Sequence, residues 1–121
     1  MHELSVALDL IDAAASQAER LGATRVHALH VGIGVLSGIS KDALLFSFEL
    51  AAAGTVVEGA RLEFEDEALV AWCTGCNEAR PLASCLDRRC PVCQQPAPEL
   101  LSGDGLVLKA LEVETVAAAH R

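Results

Sequence analysis

Four cysteines, spaced as two pairs, constrain this chain more than any other feature. Cys73-Thr-Gly-Cys76 and Cys90-Pro-Val-Cys93 are CxxC pairs with thirteen residues between them. Two thiolates three positions apart on a tight turn grip one ion, and two such turns complete a tetrahedron of sulfurs. The gap is slightly shorter than in the common CxxC…CxxC zinc pattern but of the same kind. Gly75 and Pro91 suit the turns. Four thiolates leave no position for an activated water, so the expected ion is one structural zinc, Zn2+, and not a catalytic centre. The same tetrahedron suits iron, which makes a rubredoxin-like electron carrier one rival reading. A zinc-ribbon adaptor for protein interactions is another. Cys85 is left over and reads as a semi-buried bystander.

Composition narrows the partners. The chain has 121 residues and a formal charge of -8. A phosphate-backbone binder carries a basic footprint, so nucleic acid is not an expected partner. Around the cysteines, Glu78, Asp87 and Glu99 balance Arg80, Arg88 and Arg89, and four thiolates around a dication leave that stretch net negative. Asp9 and Asp12 interrupt the N-terminal apolar stretch and no basic segment precedes it, so no signal peptide is expected. No run approaches the roughly 18 apolar residues of a membrane span. The expected location is therefore cytoplasmic, where cysteines serve as metal ligands more often than as disulfides. An odd count of five agrees.

Periodicity supplies the architecture. Leu4, Leu8, Ile11, Ala15, Ala18 and Leu21 fall on one face of a helix over 3–22, with Ser5, Asp9, Asp12, Ser16 and Glu19 opposite. Residues 24–33 read as a strand that sends His27 and His30 to opposite faces, both as ordinary strand residues. Ser40 is the N-cap of a second helix to about Ala53, with Leu44, Leu45, Phe48 and Ala52 as its apolar stripe. Residues 60–72 read as one long strand with a bulge near Asp66, and 106–114 as the last strand. His120 lies in a frayed tail. The fold class is α+β: a three-stranded sheet with two helices, plus a tetrathiolate zinc-ribbon-like lobe. The expected division is a main α/β domain at 1–72 and 104–121, and a metal lobe at 73–103.

Met1-His2-Glu3 opens the chain. The α-amine of Met1, the amide of His2 and its imidazole can form adjacent chelate rings, and an all-nitrogen, near-planar set suits Ni(II) or Cu(II). Glu3 can add an amide nitrogen or a carboxylate oxygen. His2 alone is equally an exposed terminal residue, and Glu3 at a helix start is favourable without any metal.

The combination is more specific than its parts. The sequence resembles the HypA/HybF family of hydrogenase nickel-incorporation proteins. The matching pieces are MHELS at 1–5, GIGVLSG at 32–38, ALLFSFEL at 43–50, GTVVEGARLE at 54–63, AWC at 71–73, both CxxC pairs, and GDGLVLKALEVE at 103–114. The resemblance implies a nickel metallochaperone and not an enzyme. It implies His2 as principal ligand for transient Ni2+, assisted by Met1 and Glu3, and zinc held by Cys73, Cys76, Cys90 and Cys93. It also implies work with the nickel-handling GTPase HypB, delivery to the large subunit of [NiFe]-hydrogenase, and in some members service to urease. Monomer and homodimer both stay open. Two positions depart from the family pattern. Gln94 stands where many relatives have His after CxxC, and Ser40 where some have an acid, leaving Asp42 as the nearest carboxylate in sequence.

Overall fold

A computed structural model describes residues 2–82, 88–97 and 99–115. Eight elements follow in chain order: α1 (His2–Leu21), β1 (Ala23–Gly34), α2 (Lys41–Ala52), β2 (Arg61–Glu67), β3 (Val70–Cys73), β4 (Glu78–Pro81), β5 (Glu99–Ser102) and β6 (Leu106–Thr115). They build two three-stranded sheets, β2-β1-β6 and β4-β3-β5. The α+β class is as expected. The chain forms two compact units, one from Met1–Val31, Ile39–Phe64 and Leu108–Arg121, the other from Gly32–Gly38 and Glu65–Val107. No helix among the described residues is long and apolar enough to cross a membrane.

In the first unit the helix starts and stops follow local chemistry. The Ser40 side chain accepts from the Ala43 amide at 3.2 Å and caps α2. Gly22 and Gly54 take the left-handed conformation just past the two helices, where a Cβ is costly. The polar face of α1 is exposed as expected, but its buried stripe is Ala7, Leu10, Ile11, Ala14 and Ala18. Leu4, Leu8 and Leu21 stay largely exposed. The stripe is thus rotated from the expected one: alanines at 7, 14 and 18 allow close backbone approach and leave the larger leucines on the flank. In α2 the buried residues are Leu44, Phe48 and Ala52, without Leu45. Val26, Ala28, Leu29 and Val31 of β1 complete this core.

Ala28 and Leu29 are sequence neighbours and both buried, so the alternation of β1 changes phase there. That corrects the expectation for the two histidines. His27 Nε2 lies 3.0 Å from a Glu114 oxygen and His30 Nε2 2.7 Å from a Glu112 oxygen. Glu112 and Glu114 are two apart on β6 and share a face, so the histidines do too. Arg61 adds ion pairs to Glu63 at 3.1 Å and Glu112 at 3.5 Å. The His30 contact, with the Arg61 charge, holds the Glu112 carboxyl below its ordinary 4.5. A carboxyl depressed in the folded state adds stability above its unfolded pKa and loses it as pH falls through the folded value. The native thermal midpoint should therefore drop more steeply below about pH 4.5 than that of Glu112→Gln. The pair is exposed, so the difference is small.

The second unit departs more from expectation. Residues 60–72 are two strands, not one: β2 ends at Glu67 and β3 starts at Val70, each in its own sheet. Between them the Ala68 carbonyl accepts from Ser102 Oγ at 2.7 Å, and the Leu69 carbonyl from the Leu82 amide at 2.9 Å. Distant partners thus take the backbone groups that one continuous ladder would use. β3 pairs antiparallel with β4 and β5, with Cys73 opposite Glu78 and Trp72 opposite Glu99. The small apolar cluster here is Leu69, Ala71, Leu82 and Ala97, with Leu36 and Leu100 packed against it. Leu36 and Gly34 are tied in by amides donating to the Gly103 and Gly105 carbonyls, both at 2.8 Å. A Cβ on Gly34 would overlap the Gly103 carbonyl group, which is backbone and cannot swing aside. Gly34→Ala should cost at least about 1–3 kcal/mol, read as a lower unfolding midpoint in urea.

Candidate metal centre

Each CxxC pair sits on a turn that backbone pairing closes. Cys73 ends β3 and Glu78 opens β4, so the first pair spans the hairpin between them, with Asn77 at φ 57° turning the chain back. The second pair is held by Arg89 bridging Pro96, the Cys90 amide donating to the Gln95 carbonyl at 2.8 Å and the Gln94 amide to the Cys90 carbonyl at 2.9 Å. Gln94, at φ 68°, closes that turn.

The turns bring all four expected cysteines together. Their sulfurs lie within 4.8 Å of one another. Cys73 Sγ is 3.4 Å from Cys93 Sγ, and Cys76 Sγ is 3.7 Å from Cys90 Sγ. A metal–sulfur bond of about 2.3 Å in a tetrahedron requires sulfurs about 3.8 Å apart, so the quartet fits an ion with little adjustment. Amides already point at the sulfurs: Cys76 N at 3.3 Å from Cys73 Sγ, Val92 N at 3.4 Å and Cys93 N at 3.5 Å from Cys90 Sγ. Cys73 and Cys90 are completely buried.

Electrostatics also favours a cation. The Cys93 amide, with that of Val92, pulls the Cys90 thiol down to about 6 against the opposing effect of burial. Cys93 receives the Gln95 amide, which favours its thiolate, yet the Cys73 sulfur and burial push it up to about 12. Four converging sulfurs therefore cannot all ionise without a positive ion, and a bound divalent metal deprotonates coordinating thiols.

The N-terminal candidates lie in the first unit. His2 is the first residue of α1 and its side chain is 57% exposed. Its Nε2 stands 3.9 Å from Glu3 Oε2, and that oxygen accepts from the Ser40 amide at 3.1 Å. The Ser40 amide is the main cause holding the Glu3 carboxyl below its ordinary value. Glu3 thus ties the start of α1 to the cap of α2, a contact between residues 37 positions apart that no local pattern signals. Met1, Cys85 and His120 lie outside the described residues.

Fold and sulfur quartet together define a small α+β metal-binding protein. Residues 1–113 match the family model described as hydrogenase/urease nickel incorporation, metallochaperone, hypA. The chain belongs to this HypA family, whose members are metallochaperones and not catalysts. It is 42% identical over 114 residues to the hydrogenase maturation factor HypA of Roseiflexus sp. (strain RS-1), covering 94% of this chain and 93% of that one. The same identity holds over 113 residues with the Aeromonas hydrophila subsp. hydrophila factor, covering 93% and 99%. Among solved structures, the solution structure of the Ni metallochaperone HypA from Helicobacter pylori superposes with a TM-score of 0.78 at 25% identity, covering 95% of this chain and 99% of that one.

Proposed function

We propose that the chain carries Ni(II) for the assembly of [NiFe]-hydrogenase, taking the ion at His2 and keeping zinc in the four-cysteine site. The observation that carries this reading is the match to a nickel-incorporation family along residues 1–113. The relatives are named for hydrogenase maturation, which makes hydrogenase the proposed recipient; urease, named in the family description, is the second. The proposed partners are the GTPase HypB and the hydrogenase large subunit, met in the cytoplasm. Cargo handling is assigned to residues 1–72 and 104–121, and the structural metal to 73–103.

The chemistry of the two sites suits different tasks. Zinc has no redox state to cycle, and an all-thiolate shell with two of its four cysteines fully buried keeps it resident. An exposed imidazole at a chain end meets an incoming acceptor ligand freely, which suits handing an ion over. The first amides of a helix have no acceptor within it. The His2 and Glu3 nitrogens can therefore join the Met1 amine around nickel without breaking a helical hydrogen bond. The Glu3 carboxylate, already engaged by Ser40, steadies the terminus. The test is whether the native-terminus chain takes up one Ni(II) in addition to its zinc, and whether His2 is needed.

A further inference from the structure

The glycine of the first CxxC turn is not there for its backbone angle, since Gly75 is not among the glycines in the left-handed conformation. What it supplies is room. A Cβ on Gly75 would overlap Gln95 Oε1, and would stand 2.9 Å from Gln95 Cδ and 3.2 Å from Cys93 Sγ. The carboxamide of Gln95, from the second turn, therefore lies against the backbone of the first, and it crowds the same point as the Cys93 sulfur. Backbone pairing aims this side chain. The Gln95 carbonyl accepts from the Cys90 amide at 2.8 Å, Pro96 bridges Arg89, and the Ala97 amide donates to the Arg88 carbonyl at 2.9 Å. Burial shows which side of the quartet is covered. Cys73 and Cys90 are fully buried, whereas Cys76 and Cys93 are buried only in part. The open side is that of Cys76 and Cys93, and Gly75, next to Cys76 in the chain, seats Gln95 there.

We propose that Gln95 is a guard residue that controls metal exchange at the quartet: its carboxamide, seated on Gly75, closes the open side beside Cys93 and slows the approach of competing ions and ligands, nickel cargo included. This rests on the readings of the quartet as a zinc site and of nickel as cargo. A closed thiolate shell gives up its ion when an incoming group reaches the sulfurs, so the groups that cover them set the rate. A site of this kind accepts other first-row divalent ions besides zinc, so a chain that handles nickel has use for a barrier there. A carboxamide suits the task because it is neutral and offers a cation no anionic handle. A barrier slows entry and exit alike, so it changes rates and leaves the equilibrium affinity where it was.

The test uses the full chain with zinc counted first. Excess Ni(II) is added in one arm and a chromogenic chelator in the other, and the rate at which zinc leaves is followed. In Gln95→Ala both rates should rise about tenfold, the low end of what the loss of a residue around a metal shell costs, with equilibrium zinc affinity unchanged. Gly75→Ala, which displaces the carboxamide, should be as fast as Gln95→Ala, and the double variant no faster than either. Wild-type rates in Gln95→Ala would overturn the proposal. So would a loss of zinc affinity in step with the rate, which would make Gln95 a structural support, and so would rates that multiply in the double variant. If Gly75→Ala purifies without zinc, Gln95→Ala decides by the same rate and affinity. A wild-type chain that holds no zinc removes the reading of the quartet and this inference with it; zinc that leaves wild type and Gln95→Ala equally fast removes this inference alone.

Discussion

Cys90→Ser, or treatment with a strong chelator, should unfold the second unit if the sulfur quartet holds the proposed zinc. Its apolar cluster contains two leucines and two alanines as its buried members, with Leu36 and Leu100 only partly covered. Burying a leucine contributes about 1.5–3 kcal/mol and an alanine less, so this cluster cannot order three short strands and two knuckle turns by itself. Structural zinc contributes on the order of 10–16 kcal/mol in small peptides, enough to decide the matter. Cys90 is the most informative position. It is fully buried, accepts from the Val92 and Cys93 amides, and is the thiol held down at about 6. A serine there is a poor ligand at neutral pH and leaves two amides without their sulfur. Hydrogen exchange should show protection lost at the β3, β4 and β5 amides while α1 and the middle of β1 keep theirs. Protection retained in β3 of the metal-free chain would mean that the unit does not depend on its ion.

Extending the chain ahead of Met1 by even two residues should weaken the proposed nickel binding by about an order of magnitude or more. An N-terminal chelate uses the free amine as one of its nitrogens, and a peptide bond at that nitrogen removes it. The same set requires a neutral imidazole and a deprotonated amine, so nickel affinity falls as pH is lowered. Zinc content should not change with the extension, because Cys73, Cys76, Cys90 and Cys93 belong to the other unit. A calorimetric titration at two pH values with tagged and untagged chains checks both statements. An extended chain that binds nickel as tightly as the native one would place the cargo site elsewhere.

How much of this was legible in the residues depends on whether the signal is local. The cysteine spacing, the Ser40 cap and the polar face of α1 are written in short windows, and the structure has them where the pattern puts them. Hydrophobicity alone puts Leu4 and Leu8 on the buried face of α1 ahead of Ala7 and Ala14, whereas close packing favours the small residues. The phase change at Ala28 and Leu29, which puts His27 and His30 together, leaves the sequence looking like an ordinary strand. The break after Glu67 is made by Ser102 and Leu82, both far along the chain. β4 and β5 are four-residue strands, too short for alternation to stand out, and only pairing with β3 defines them.

If one small chain keeps one metal and carries another, the direct measurement counts both in the same sample. Native-terminus protein and His2→Ala are saturated with Ni(II), freed of excess ion, and analysed for nickel and zinc per chain. The account predicts one zinc in each, and one nickel in the native chain that is lost with His2. Equal nickel in the two proteins would contradict it.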